Sequence, residues 1–327
     1  MREEGHILVT GGAGFIGSHL VERLLVDGNR VVVIDDVSTG SLENLERVQG
    51  DSKLTVIESK VSQCSELGSL VADARFVFHL AAAVGVELIL RKPVESLRTN
   101  LDETEAVLQA AAARKTPILL ASTSEVYGKS DKEEFSESDD LLIGPPTLVR
   151  WSYACSKLMD EFLALSFMKE NGVPVIVARL FNTVGPRQSG EFGMVLPRFI
   201  EAGRRREQIR VFGDGRQTRC FCHVRDTVEA LVRLMNCERA RGEVVNIGNS
   251  NEIAIRELAR KVNEACGSDS PIELVPYSEA YGPGFEDMLR RRPDISRLRE
   301  LTGFAPSISL DEIIKEMALA DTEETAN

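Results

Sequence analysis

The sequence predicts an α/β fold, a doubly wound parallel sheet of the Rossmann type with a smaller C-terminal lobe. Three observations predict it. Up to about residue 180, short β-branched runs alternate with longer amphipathic stretches, the pattern of stacked βαβ units. A glycine loop, Gly11-Gly12-Ala13-Gly14-Phe15-Ile16-Gly17, joins the first strand to the first helix. Beyond it the regular order breaks into segments punctuated by Gly and Pro. We therefore expect residues 1–180 to form the sheet domain and 181–320 to form mainly the lobe, with some strands returning to the sheet.

Each element follows from its residues. Strands are expected at 6–10, 30–35, 54–57, 75–80, 117–122 and 174–180, all rich in Val, Ile, Leu and Phe. Helices are expected at 15–27, 94–114 and 151–171, where apolar residues recur at three- and four-residue spacing. In the second half, Gly-Pro at 185–186 and Gly-Asp-Gly at 213–215 mark turns, and Cys220-Phe221-Cys222 reads as the two faces of one strand. A further strand at 244–247, a helix at 253–266 and a Pro- and Gly-rich stretch at 276–284 complete the lobe. The last eight residues, 320–327, are expected to fray.

Composition narrows the function. A length of 327 residues with 43% hydrophobic content supports a large core, and a formal net charge of −12 argues against nucleic acid as a partner, because phosphate contacts need a basic face. The start, MREEGHILVTGG, enters a strand at once and reads as neither signal peptide nor membrane anchor, which points to the cytoplasm. Six cysteines without paired spacing and four histidines make no metal site. Arg204-Arg205-Arg206 reads as a solvated helix face, whereas Arg187, Arg219 and Arg290-Arg291-Arg292 suit an anionic small molecule.

The glycine loop has a physical use. Glycines let the chain turn tightly and approach a diphosphate, and the helix that follows offers free N–H groups to the anion. The second strand ends in Asp35, about twenty residues on, where a carboxylate accepts both ribose hydroxyls of a dinucleotide. An acid there repels a 2′-phosphate and no arginine follows it at once, so NAD is expected rather than NADP.

Tyr153 and Lys157 lie four apart on one expected helix, so they leave the same face one turn apart. An ammonium beside a phenol favours phenolate and makes tyrosine a usable base. A tyrosine packed over a lysine stem has the same spacing. Here, however, the pair follows a dinucleotide loop and a strand that empties into Ser122-Thr123-Ser124, where a hydroxyl can share a substrate oxygen with Tyr153. Glu125 comes next, a lone acid among small hydroxyl residues.

With these pieces in place the chain resembles the extended short-chain dehydrogenase/reductases, the nucleotide-sugar epimerase/dehydratase family, over nearly its whole length. The matching pieces are TGGAGFIGSH (10–19), HLAA (79–82), STSEVYG (122–128), YACSK (153–157), RLFNTVGPR (179–187), VFGDGRQTRCFCHVRD (211–226) and RRRPD (290–294). The resemblance implies a tightly held, recycled NAD that oxidises a nucleotide sugar at C4 and then reduces it again. It implies cofactor contacts from Gly11, Gly14, Phe15, Ile16, Gly17, Asp35 and Ala81, with Tyr153 as the base, Lys157 on the ribose and Thr123 on the C4 oxygen. Asn182, Arg187, Arg219, Arg291 and Arg292 fall where the family holds the substrate's diphosphate and sugar, and Val195 where it wraps the nucleotide base. A homodimer through the helices expected at 94–114 and 151–171 is also implied. The third strand departs from the family's Gly-Asp ending: Glu58-Ser59-Lys60-Val61 places a lysine where an adenine-reading Asp is usual.

A 4-keto sugar has three fates: epimerisation, loss of water across C5 and C6, or loss of CO2 when C6 is a carboxylate. The residues near C5 and C6 decide among them. The Ser124-Glu125 pair and Arg291 resemble the UDP-glucuronate decarboxylases, so conversion of UDP-glucuronic acid to UDP-xylose is the leading expectation. A UDP-hexose or UDP-hexuronate 4-epimerase and a 4,6-dehydratase are the alternatives. Glu125 is expected to be repelled by the substrate carboxylate, which favours either CO2 loss or a protonated Glu125. A catalytically silent NAD-binding regulator would lack Tyr153 or Lys157, and both are present.

Overall fold

Ile7, Leu8 and Val9 are wholly buried because strand β1 (His6–Thr10) lies at the centre of a seven-stranded sheet, with helices on both faces. The computed structural model describes residues 5–83, 91–190, 194–281 and 287–319. The first four residues, part of the stretch at 276–284 and the tail expected to fray lie outside them. On one side of β1 come β2 (Val31–Asp35) and then the edge strand β3 (Leu54–Glu58). On the other come β4 (Ala74–His79), β5 (Ile118–Thr123), β6 (Val175–Leu180) and β7 (Val244–Ile247). Every pairing is parallel. The strand order reverses between β1 and β4, which opens a crevice at the C-terminal ends of the strands.

The pleat sends alternate residues to opposite layers. Ile7, Val9, Val31, Val33 and Phe78 pack with α1 (Phe15–Val26) and α6 (Val224–Met235), the numbering following chain order. Leu8, Ile34, Val77 and Leu120 pack with α2 (Leu67–Asp73), α3 (Pro93–Ala112) and α4 (Ser152–Asn171). The lobe has its own core, in which Phe199 of α5 (Val195–Arg205) meets Leu258 and Val262 of α7 (Ile255–Cys266) and Ile314 of α8 (Leu310–Leu319). β7 and α6, both from beyond residue 180, belong instead to the sheet and its covering layer.

Two local expectations need correction. Cys220 and Cys222 do not share a strand. Thr218–Cys220 pairs antiparallel with Glu252–Ala254, whereas Cys222–His223 pairs parallel with Thr183–Val184, so the chain crosses between ladders at Phe221. The Glu252–Ala254 ladder also delays the start of α7 to Ile255. Nor is Arg204 simply solvated: its guanidinium donates to the carbonyls of Met317 and Ala318 near the end of α8, at 2.6 and 3.1 Å. Arg205 alone of these two stays on the surface, paired with Glu201 at 2.9 Å. Among the described residues no helix is long and apolar enough to cross a membrane.

Candidate active site

At the end of β1 the backbone does what only glycine allows. Gly11 has φ +73°, and a Cβ there would stand 2.7 Å from the Ala81 nitrogen; one on Gly17 would stand 2.0 Å from the Gly11 carbonyl oxygen. Strand, turn and helix therefore meet at backbone contact. Gly14 caps α1 without a side chain, so the first-turn N–H groups are left for a ligand. Asp35 closes the other side: it accepts hydrogen bonds from the N–H groups of Ala13 and Val37, both at 2.8 Å. Burial pushes its carboxyl above the usual range, and those N–H groups offset part of the rise. A cradle without side chains, an open helix N-terminus and a buried carboxylate fit NAD, and Gly11, Gly14, Phe15, Ile16, Gly17 and Ala81 all line the same cavity.

That cavity, of about 990 Å³, continues over the ends of β4, β5 and β6 to the lobe. Tyr153 and Lys157 reach it from α4, and Thr123 from the end of β5. The Tyr153 hydroxyl is hydrogen-bonded to Thr123. Burial, then Glu125 and Asp160, push the phenol well above its ordinary value, against the pull of Thr123 and Arg150. One turn along α4, the Lys157 ammonium is held by the Asp160 carboxylate at 2.8 Å. Ser122 points away to Glu161 at 2.5 Å, and Glu161 is itself gripped by Arg179 at 2.8 Å.

Glu125 sits in a cluster of opposite charges. Arg150 binds one of its oxygens at 2.5 Å and Arg291 the other at 3.4 Å. Asp287 takes Arg219 at 2.7 Å and reaches Arg150 at 3.8 Å. Burial raises the Glu125 carboxyl, but Arg150 and Arg291 outweigh it and bring it below the ordinary value. The two arginines thus favour the carboxylate form of Glu125 over the protonated form, which was one of the two outcomes expected beside a substrate carboxylate. Burial, then Arg219, bring Arg291 down to about 10. The Nε atoms of Arg150 and Arg291 are buried without a hydrogen-bond partner. Three guanidiniums against two carboxylates, with unused donors, leave a positive corner able to hold an anion.

Arg291 is held from behind. Phe135 N–H donates to the Arg292 carbonyl at 2.8 Å and Asp294 N–H to the Phe135 carbonyl at 2.9 Å. Phe135 stacks on Tyr127 with ring centroids 4.8 Å apart, and its carbonyl also accepts from Asn246 at 2.9 Å. The other arginines of that run point elsewhere.

The structure brings together every residue expected at the site except Arg292. Arg292 lies outside the cavity, where it pairs with Glu134 at 3.4 Å. Arg187 touches the cavity, but its guanidinium is spent on Glu22 at 2.9 and 3.0 Å and on the Asn44 carbonyl at 2.7 Å, pinning the lobe to α1. Ser124, Asn182, Val195 and Arg219 line the wall as expected, with the Asn182 amide donating to the Cys220 carbonyl at 2.9 Å. Lys60 is on the rim beside Ser59. Sequence reading missed Arg150, Asp287 and Asp160. Arg150 stands three residues before Tyr153, and that spacing is the only signal it gives; Asp287 gives none.

Comparison with known proteins places this geometry. A family model described as GDP-mannose 4,6 dehydratase matches residues 8–317. The chain is 41% identical over 310 residues to a UDP-N-acetyl-alpha-D-glucosaminuronate decarboxylase of Bacillus cytotoxicus, covering 94% of this chain and 95% of that one. It is 37% identical to UDP-glucuronic acid decarboxylase 1 of Xenopus tropicalis, covering 95% and 70%. Among solved structures, a UDP-glucuronic acid 4-epimerase of Bacillus cereus in complex with UDP-glucuronic acid and NAD superposes with a TM-score of 0.87 at 28% identity, over 98% and 99% of the two chains.

Proposed function

The chain belongs to the GDP-mannose 4,6 dehydratase family of NAD-dependent nucleotide-sugar enzymes, and from that premise we propose that it decarboxylates a UDP-linked hexuronic acid, UDP-glucuronic acid to UDP-xylose. The observation that carries this reading is the positive corner around Glu125. A surplus guanidinium charge with unused N–H donors suits a substrate carboxylate at C6. A hexose with a neutral C6 hydroxyl would leave that charge unmet.

NAD bound in the cradle of Gly11, Gly14 and Gly17 supplies reversible oxidation at the sugar's C4. Tyr153 takes the proton from the C4 hydroxyl and later returns it, while Thr123 shares the same oxygen. Lys157 holds the ribose, and Arg219 and Asn182 hold the diphosphate, with Val195 beside the nucleotide base. Once C4 is a ketone, the C5–C6 bond breaks, CO2 leaves, and its electron pair moves into a C4–C5 enolate. Arg150 and Arg291 orient the carboxylate before this step. Glu125, ionised between them, keeps their grip loose, because a tight grip on the carboxylate would favour the ground state over the transition state. Ser124 and Arg291, which carry protons, then stand where C5 regains one.

Two further readings have a specific observation behind them. The relative at 41% acts on a uronate bearing an N-acetyl group, so UDP-N-acetylglucosaminuronic acid is the second substrate to try. The structural likeness to a UDP-glucuronic acid 4-epimerase favours inversion at C4 without loss of CO2. We also assign the protein to a homodimer formed through α3 and α4, whose exposed Val94, Met159 and Phe162 suit a second copy. The six free cysteines suit a reducing cytoplasm.

A proton NMR time course with NAD and each UDP-uronate tests the reading. A pentose product with two C5 protons is expected. A galacturonic pattern would make the enzyme an epimerase instead.

A further inference from the structure

Behind the reacting pair, a line of polar side chains runs between α4, α3 and the ends of the central strands. Asp160 on α4 is 0% exposed and holds Lys157 at 2.8 Å through one oxygen, while its other oxygen is buried with no hydrogen-bond partner. The Thr104 hydroxyl of α3 faces that carboxylate. Thr104 also meets the His79 Nε2 at 3.1 Å, and the His79 Nδ1 meets the Thr10 hydroxyl at 2.8 Å. Thr10 accepts the Ala81 N–H at 3.3 Å, at the edge of the cofactor cradle. His79 is wholly buried and stays neutral, its value brought down to about 3 by burial and then by Lys157.

A fully buried carboxylate with an orphan oxygen is a poor way to stabilise a helix, since an apolar residue of similar size would avoid the desolvation cost. What it does accomplish is electrostatic. We propose that Asp160 is a positioning residue for the reaction, one that anchors the Lys157 ammonium and sets how much of its charge reaches the Tyr153 phenol. The inference rests on the reading of Tyr153 and Lys157 as the reacting pair.

The charged groups around the phenol are few. Lys157, Asp160 and Glu161 come from α4, Arg150 from the turn before it, Glu125 from the end of β5, and Arg291 from the lobe. Glu161 is neutralised by Arg179, and Glu125 by Arg150 and Arg291. Lys157 is the only cation paired with Asp160 among the described residues, the Thr104 hydroxyl beside it being neutral, so removing the Asp160 charge leaves the ammonium unbalanced near the phenol. The sign follows: an ionised Asp160 disfavours phenolate, and its loss lowers the pH at which Tyr153 gives up its proton.

The test is the near-ultraviolet phenolate titration of the NAD-loaded protein without sugar, with Tyr153→Phe as the reference that identifies the Tyr153 step. In Asp160→Asn the phenol's proton affinity is expected to fall about tenfold, and the acid limb of kcat/KM to move to lower pH by the same amount. Asp160→Ala, which removes the same charge, provides a second reading should the amide fold poorly. An unmoved titration in a folded variant overturns the proposal. Full activity in Tyr153→Phe would overturn the underlying reading instead, so the two failures are distinct.

Discussion

Two buried carboxylates, Asp35 at the cofactor end of the cavity and Glu125 at the sugar end, are held in opposite ways. Asp35 is gripped by backbone N–H groups, and burial leaves its carboxyl raised. Glu125 is gripped by two guanidiniums, and its carboxyl is lowered. The first arrangement joins the end of β2 to the neighbouring glycine loop, 22 residues earlier; the second joins segments 166 residues apart in sequence. The cofactor end is thus a property of the sheet fold, fixed by backbone and suited to one neutral task, binding ribose hydroxyls. The sugar end is a property of side chains brought from elsewhere, where, on the proposed reading, a change of charge alters what the keto sugar does next.

The strongest way to break this contrast is to take away one of the guanidiniums. Arg150→Met leaves Glu125 buried with only Arg291, and breaking a buried pair from one side costs about 3 kcal/mol. Urea unfolding at neutral pH should show that loss, and an unchanged midpoint would mean that the Arg150–Glu125 contact holds nothing together. At the opposite end, Asp35→Asn keeps the size but weakens the acceptor, so NAD affinity should fall about tenfold by calorimetry. The ratio of CO2 released to sugar oxidised should not change, because Asp35 lies away from C5 and C6. A changed ratio would erase the division of labour between the two ends.

This division also explains what the sequence made legible. The sheet strands begin and end within a residue or two of where their apolar runs place them, because a parallel strand covered on both faces must be continuously apolar. Gly11, Gly17 and Asp35 were readable from their places at strand ends and their spacing, although Gly11 packs on Ala81 and Asp35 accepts from Ala13. Arg150 was not, because a single arginine before a helix reads the same whether it meets solvent or a carboxylate. The arginines at 290–292 were visible as a group, but only the chain path through Phe135 decides that Arg291 turns inward while Arg292 meets Glu134. Arg187 is a related case: its sequence place suggested an anion site, and the structure puts it on the cavity wall with its guanidinium also paired to Glu22. The Tyr153–Lys157 spacing was legible, whereas the effect of Asp160 on it depends on a contact that spacing alone did not weigh.

The smallest expected effect sharpens the comparison through pH. A carboxyl lowered on folding contributes stability above its ordinary value of 4.5, and that contribution is lost as pH falls through the folded value. Glu125 therefore weakens the fold on acidification below 4.5. Asp35, raised above its ordinary value of 3.8, acts with the opposite sign and favours the fold as it takes up a proton. In urea midpoints followed down the acid range without NAD, Glu125→Gln should flatten the loss of stability and Asp35→Asn should steepen it. Equal slopes in both variants would mean that the two carboxylates are not held differently.

The proposed role of the corner at Glu125, Arg150 and Arg291 is to act after C4 oxidation and commit the keto sugar to losing CO2. It is tested most directly in Glu125→Gln, by following NADH absorbance and CO2 release together after adding UDP-glucuronic acid to the NAD-loaded protein. NADH is expected to form and persist while CO2 release nearly stops. Release of CO2 at the rate of the unmodified protein, or failure of NADH to form in a folded variant, would contradict it.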